Sequence, residues 1–160
     1  MAEISVIMGS QSDVETVEET IAILKQFKAD YEVTVLSAHR TPGELAAYVE
    51  TSGERGVKVF IAAAGGSAAL AGVIAAHTTL PVIGIPMLTK HVGGLDSLLS
   101  TVQMPAGVPV ATVAIGRAGA RNAALLAIEI LAITDADLRS KLAAYREEMA
   151  AKIRNIKLHL

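Results

Sequence analysis

"KVFIAAAGGSAALAG", residues 58–72, decides the fold of this chain. Lys58 to Ala64 is an almost unbroken apolar run with Val59, Phe60 and Ile61 at its centre, which suits a strand covered on both faces. Gly65 and Gly66 then allow a sharp turn. Ser67 opens a stretch, Ala68 to His77, whose alanine and leucine favour helix. Strand, tight turn and helix in succession form half of a βαβ crossover, and the same grammar recurs on either side. "ISVIM" (Ile4 to Met8), "EVTVLS" (Glu32 to Ser37), "PVIGIPM" (Pro81 to Met87) and "PVATVAI" (Pro109 to Ile115) are short, β-branched and nearly continuous in apolar character. Between them Val14, Val17, Ile21 and Leu24 recur at helical spacing, as do Leu45, Tyr48 and Val49, and Ala118 to Ile133 is rich in helix formers. This alternation predicts an α/β fold: a parallel sheet of about five strands in three layers, joined by right-handed crossovers.

The whole of residues 1–160 is read as one domain, since no repeat, low-complexity linker or compositional break divides it. The last segment, residues 135–156, carries Leu138, Leu142, Tyr145, Met149 and Ile153 on one stripe after an expected cap at Thr134. It reads as an extra C-terminal helix that packs on the body or on a neighbouring subunit. Apolar residues make up 52% of the chain and charged ones 19%, so an interface with further copies is expected. A formal net charge of −2 and 3% aromatic residues argue against nucleic acid as partner. The apolar region from Val57 to Leu88 is broken by glycines, prolines, Lys58 and His77, so no membrane span is expected. The start "MAEISVIMGS" lacks the basic segment and core of a secretion signal, and the expected location is cytoplasmic. With no cysteine there is neither a disulfide nor a thiolate nucleophile.

Chemistry is sought at the carboxyl ends of the strands, where the loops of an open parallel sheet converge on ligands. "MGSQSD" follows the first strand. Gly9, Ser10 and Ser12 offer amides and hydroxyls to an anion, usually a phosphate, whereas Asp13 suits ribose hydroxyls; a helix cap by Ser10, Ser12 or Asp13 is the plain alternative. The run is neither a dinucleotide fingerprint nor a Walker loop. "SAHRTP" follows the second strand and sets Arg40, a planar fork for phosphate or carboxylate, beside His39, a proton donor or acceptor near neutral pH. Pairing of Arg40 with a helix carboxylate is the structural alternative. After the third strand Gly65, Gly66 and Ser67 permit close approach of a flat ligand, or make a tight turn and nothing more. His77 reads as a dipole-complementing helix end. His91 lies in "LTKHVGG" with either a crevice or a solvent role, and His159 is expected to be disordered. No histidine pair has helical metal-ligand spacing, so no metal site is expected. Asp96, Ser97, Ser100 and Gln103 precede the fifth strand without an obvious nucleophile.

"MGSQSD", "SAHRTP", "AAGGSAALAG", "LPVIGIPM", "GGLDSLLSTVQMPAGVPVATVAIG" and "AGARNAALLAIEIL" together resemble the 5-(carboxyamino)imidazole ribonucleotide mutase family of purine biosynthesis, in order, from about Ile4 to Asp137. The resemblance implies a flavodoxin-like three-layer domain assembled as a homo-octamer, an imidazole ribonucleotide as substrate, and neither cofactor nor metal. It matches His39 to the catalytic histidine and Ser10, Asp13 and Arg40 to substrate-binding positions. Ser12, Ser37 and Ala38 would line the same pocket, with Gly65 and Gly66 behind the imidazole. The chain departs from the usual pattern at Ala69 and Ala71, where the family carries histidine and proline, and at Leu88 and Thr89, where it carries glutamine and serine. A related branch carboxylates aminoimidazole ribonucleotide directly with carbon dioxide, and "TTLPVIGIPM" and "VQMPAGVPVATVAIG" resemble the mutase branch better. A non-catalytic nucleotide-binding relative is the rival from another class. A flavin binder is disfavoured, since the loops lack aromatic residues to stack on its ring.

Overall fold

The computed structural model describes residues 1–158; the expectation for His159 lies outside them. Five strands form one parallel sheet: β1 (Ile4–Met8), β2 (Tyr31–Val35), β3 (Val59–Ala64), β4 (Val82–Pro86) and β5 (Ala111–Thr112), in the order β2-β1-β3-β4-β5. That order is the flavodoxin-like doubly wound arrangement, whose ligand crevice opens where β1 and β3 send their connections to opposite faces. Six helices surround the sheet: α1 (Val14–Phe27), α2 (Pro42–Glu50), α3 (Leu70–Ala76), α4 (Leu95–Val102), α5 (Arg117–Leu131) and α6 (Ala136–Arg154). Among the described residues, no helix is long and apolar enough to cross a membrane.

The two-residue period of the strands divides the core into two layers. Ile4, Val6 and Met8 of β1 join Val59, Ile61, Ile83 and Ile85 beneath α1 and α5. Ile7, Phe60, Ala62 and Val82 point the other way, onto Leu45 and Val49 of α2 and Leu70 and Ile74 of α3. The alanines of α5 explain its close seat. Ala120, Ala123, Ala124 and Ala127 are wholly buried against α1, and the Thr20 hydroxyl of α1 donates to the Ala120 carbonyl at 2.8 Å. At Gly119 a Cβ would stand 1.6 Å from the Ala114 carbonyl oxygen, so only glycine lets α5 begin there.

Several expectations are corrected in detail. β2 is an edge strand, not one covered on both faces: Val33 and Val35 are 42% and 49% exposed. β5 is two residues long, shorter than the expected Pro109 to Ile115: Pro109 cannot donate a ladder bond at its amino end, and past Thr112 Val113 still donates to the Gly84 carbonyl. α6 is capped by Asp135, whose carboxylate accepts the amides of Asp137 and Leu138, while the Thr134 hydroxyl donates back to the Leu131 carbonyl. Helix α4 is an element that composition conceals. Its Ser100 and Thr101 hydroxyls donate to the Asp96 and Ser97 carbonyls, so residues that usually oppose helix are accommodated by bonding back to the backbone. The stripe on α6 divides: Leu138, Leu142 and Tyr145 lie on the body, with Tyr145 5.5 Å from the Phe27 ring, whereas Met149 and Ile153 stay open to solvent.

Candidate functional site

The loops after β1, β2, β3 and β4 meet around a cavity of about 400 Å³, within the range of small-ligand sites. Gly9, Ser10, Ser12 and Asp13 come from the first loop, and Ser37, Ala38, His39 and Arg40 from the second. Ala64, Gly65, Ser67, Ala69 and Leu70 come from the third, and Met87, Leu88 and Thr89 from the fourth.

Each loop is held by local bonds that leave its chemistry facing outward. Ser10 is in extended conformation at the head of the 3-10 turn Gln11–Asp13; its hydroxyl oxygen accepts the Ser12 amide at 3.3 Å and the Ser12 hydroxyl at 2.9 Å. Ser10 thus caps the turn and also walls the cavity. Asp13 is only 8% exposed, and burial pushes its carboxyl above the usual carboxylate range, against the opposing effect of hydrogen bonds from Ser10 and Ser12. The second loop is cinched by Ser37 and Thr41. The Ser37 amide donates to Thr41 Oγ1 at 2.9 Å, the Thr41 hydroxyl donates to the Ser37 carbonyl at 3.1 Å, and Ser37 Oγ accepts the Arg40 amide at 3.1 Å. His39 and Arg40 therefore stand exposed on a rigid turn at the rim, and among the described residues the Arg40 guanidinium enters no ion pair.

The third and fourth loops interlock. Gly66 has a left-handed φ of +66° and its amide donates to Ser97 Oγ at 3.0 Å, so it shapes the turn and is not among the cavity's walls. Gly65 does wall the cavity; a Cβ there would lie 3.2 Å from Met87 Cβ. Of the departures, Ala69, Leu88 and Thr89 line the cavity, but Ala71 is buried in α3, where it faces Gly84 of β4. His77 ends α3 with Nδ1 2.9 Å from Glu50 Oε1, and His91 is exposed away from the cavity. Among the described residues no group of three or more histidine, aspartate or glutamate side chains is placed to hold a metal ion. Ala64, Leu70 and Met87 also wall the cavity, although none carries a side chain whose chemistry marks it; Ala64 ends β3 and Met87 directly follows β4.

The arrangement can seat an anion among hydroxyls and a guanidinium, accept from sugar hydroxyls at a carboxylate, and move a proton at an imidazole. Together with the strand order this defines a doubly wound α/β protein with a nucleotide-sized site at its switch point. The chain belongs to the AIR carboxylase family, whose model matches residues 3–152. It is 54% identical over 149 residues to the N5-carboxyaminoimidazole ribonucleotide mutase of Pyrococcus abyssi, covering 93% of this chain and 84% of that one. The Bacillus subtilis protein of the same name is 56% identical over 144 residues, 90% of this chain and 89% of its own. The crystal structure of Treponema denticola PurE superposes with a TM-score of 0.85 at 30% identity, over 94% of this chain and 92% of that one.

Proposed function

We propose that this chain is an isomerase of purine biosynthesis that converts 5-(carboxyamino)imidazole ribonucleotide to 5-amino-4-imidazolecarboxylate ribonucleotide. The observation that carries the reading is the convergence of His39, Arg40, Ser10, Ser12 and Asp13 on one cavity of nucleotide size. Relatives named for this activity and about half identical over nearly the full length support the mutase over the direct carboxylase.

In this reading Ser10, Ser12 and Arg40 hold the ribose phosphate and Asp13 the ribose hydroxyls. Ser37 and Ala38 border the nucleotide, and Gly65 and Ser67 the imidazole. His39 donates a proton to the exocyclic nitrogen as its bond to the carboxylate carbon breaks, releasing carbon dioxide beside aminoimidazole ribonucleotide. The ring carbon then attacks the retained carbon dioxide, and His39 recovers a proton from that carbon. Atoms balance without a co-reactant. Retaining both fragments in one cavity avoids a second bimolecular encounter.

The finer assembly we propose is a homo-octamer. Leu95, Leu99 and Val102 form an exposed stripe on α4, and Val33, Val35, Met149 and Ile153 are apolar side chains left to solvent. A cytoplasmic location follows from the substrate class, since phosphorylated nucleotides stay in the compartment that makes them.

The test is ultraviolet detection of the carbon-carboxylated product from the carbamate isomer, without added bicarbonate. The chain should turn over, and His39→Asn should retain nucleotide binding while losing about 10²- to 10⁴-fold in rate. Consumption of aminoimidazole ribonucleotide plus carbon dioxide, with the carbamate isomer untouched, would establish the direct carboxylase instead. Binding without any turnover would establish the non-catalytic relative.

A further inference from the structure

Thr89 lines the cavity just after β4, and most of its hydrogen-bonding capacity is already committed. Its hydroxyl donates to Asp96 Oδ1 at 2.7 Å, and its oxygen accepts the Gly94 amide at 3.0 Å. A hydroxyl has one proton and two acceptor lone pairs, so one lone pair is what Thr89 has left to offer. Asp96 is the residue that takes the proton. The Thr89 bond holds the Asp96 carboxyl below the usual carboxylate range, which keeps it ionised and acceptor-only at neutral pH. Gly94, at φ +87° with Met87 O and Ile115 Cγ2 too close for a Cβ, fixes the amide that completes the arrangement.

The first turn of α4 also ties this hydroxyl to the neighbouring loop. The amide of Ser97 donates to Asp96 Oδ1 at 2.9 Å, and Ser97 Oγ accepts the Gly66 amide. On this side of the cavity Ala69, Leu70, Met87 and Leu88 have no strong hydrogen-bonding side chain, so Thr89 and Ser67 carry its side-chain polarity. The opposite loops supply the donors.

We propose that Asp96 is a positioning residue that fixes Thr89 as a hydrogen-bond acceptor in the cavity wall, so that the site selects nucleotides whose imidazole end presents an N–H. The inference rests on the nucleotide reading above and deepens it, because both the carbamate isomer and its product carry an N–H on the exocyclic nitrogen.

The experiment measures binding of aminoimidazole ribonucleotide, of the same ribonucleotide without the amino group, and of ribose 5-phosphate. It uses the whole chain and its Asp96→Ala, Asp96→Asn and Thr89→Val variants. The unaltered chain should prefer the amine-bearing nucleotide. Asp96→Ala and Thr89→Val should each reduce that preference about two- to tenfold, the worth of one hydrogen bond, with ribose 5-phosphate affinity unchanged. Asp96→Asn, which keeps an acceptor oxygen, should restore it, an outcome that loss of packing alone would not give. An unchanged preference in Asp96→Ala and Thr89→Val, or an Asp96→Asn as impaired as the alanine variant, overturns the inference and leaves the functional reading standing. If Asp96→Ala fails to fold, Thr89→Val alone decides by the same criterion. Failure of the unaltered chain to bind aminoimidazole ribonucleotide removes the functional reading and this inference with it.

Discussion

Replacing Arg40 with methionine separates binding from folding more cleanly than any other change in the site. The residue stands at the tip of the β2 loop, exposed, with its backbone amide anchored on Ser37 Oγ and its guanidinium outside any ion pair among the described residues. The fold therefore loses no partner when the charge is removed. An exposed substitution of this kind changes stability by no more than about 0.5 kcal/mol. The phosphate, by contrast, would lose a charge-assisted hydrogen bond worth about 1.5–3 kcal/mol. At 1.4 kcal/mol per tenfold, that raises Kd by roughly 10- to 150-fold. Arg40→Lys should fall between, since it keeps the charge but not the planar fork. Calorimetric titration with aminoimidazole ribonucleotide and with the nucleoside lacking its phosphate reads the effect directly. The nucleotide should weaken and the nucleoside should not. Equal weakening of both, or an Arg40→Met variant that binds the nucleotide as tightly as the unaltered chain, would refute the assignment of Arg40 to the phosphate.

Three further expectations concern the scaffold and its surfaces. Gly119→Ala should prevent the native seat of α5 and yield insoluble or unfolded protein by circular dichroism, because its Cβ would overlap the Ala114 carbonyl. Asp13→Asn should raise the melting temperature at neutral pH while weakening nucleotide binding. The folded-state pKa of Asp13 is raised by burial, so its ionised form opposes folding as pH climbs from the unfolded value past the folded one; the variant's advantage should vanish below the unfolded pKa, in thermal melts from pH 3 to 8. Leu99→Glu, on the exposed stripe of α4, should shift light-scattering mass towards smaller species, and an unchanged mass would place the interface elsewhere.

The strands and the polar residues at their ends were legible because each depends on local pattern. Continuous apolar runs announced β1, β3 and β4, and Ser10, Asp13, His39 and Arg40 were conspicuous for standing directly after such runs. What escaped depends on which partner each group finds, in some cases far along the chain. Gly65 and Gly66 are adjacent and identical, yet only Gly65 walls the cavity, because Ser97, 31 residues beyond Gly66, draws that amide away. Ala71 reads as a change in the site, but β4 carries glycine at position 84 and Ala71 packs there instead. The cap of α6 moved from Thr134 to Asp135 because a carboxylate one residue later reaches two amides. Thr89 reads only as a departure from the family pattern, and it is its partners Asp96 and Gly94 that show which of its valences remain.

A crystal structure with the product nucleotide bound tests the central claim most directly. The phosphate oxygens should lie about 3 Å from Ser10, Ser12 and Arg40, with the ribose on Asp13 and the His39 ring within hydrogen-bond reach of the imidazole substituents. A nucleotide bound outside the four-loop cavity, or with its phosphate turned away from the β1 and β2 loops, would contradict the account.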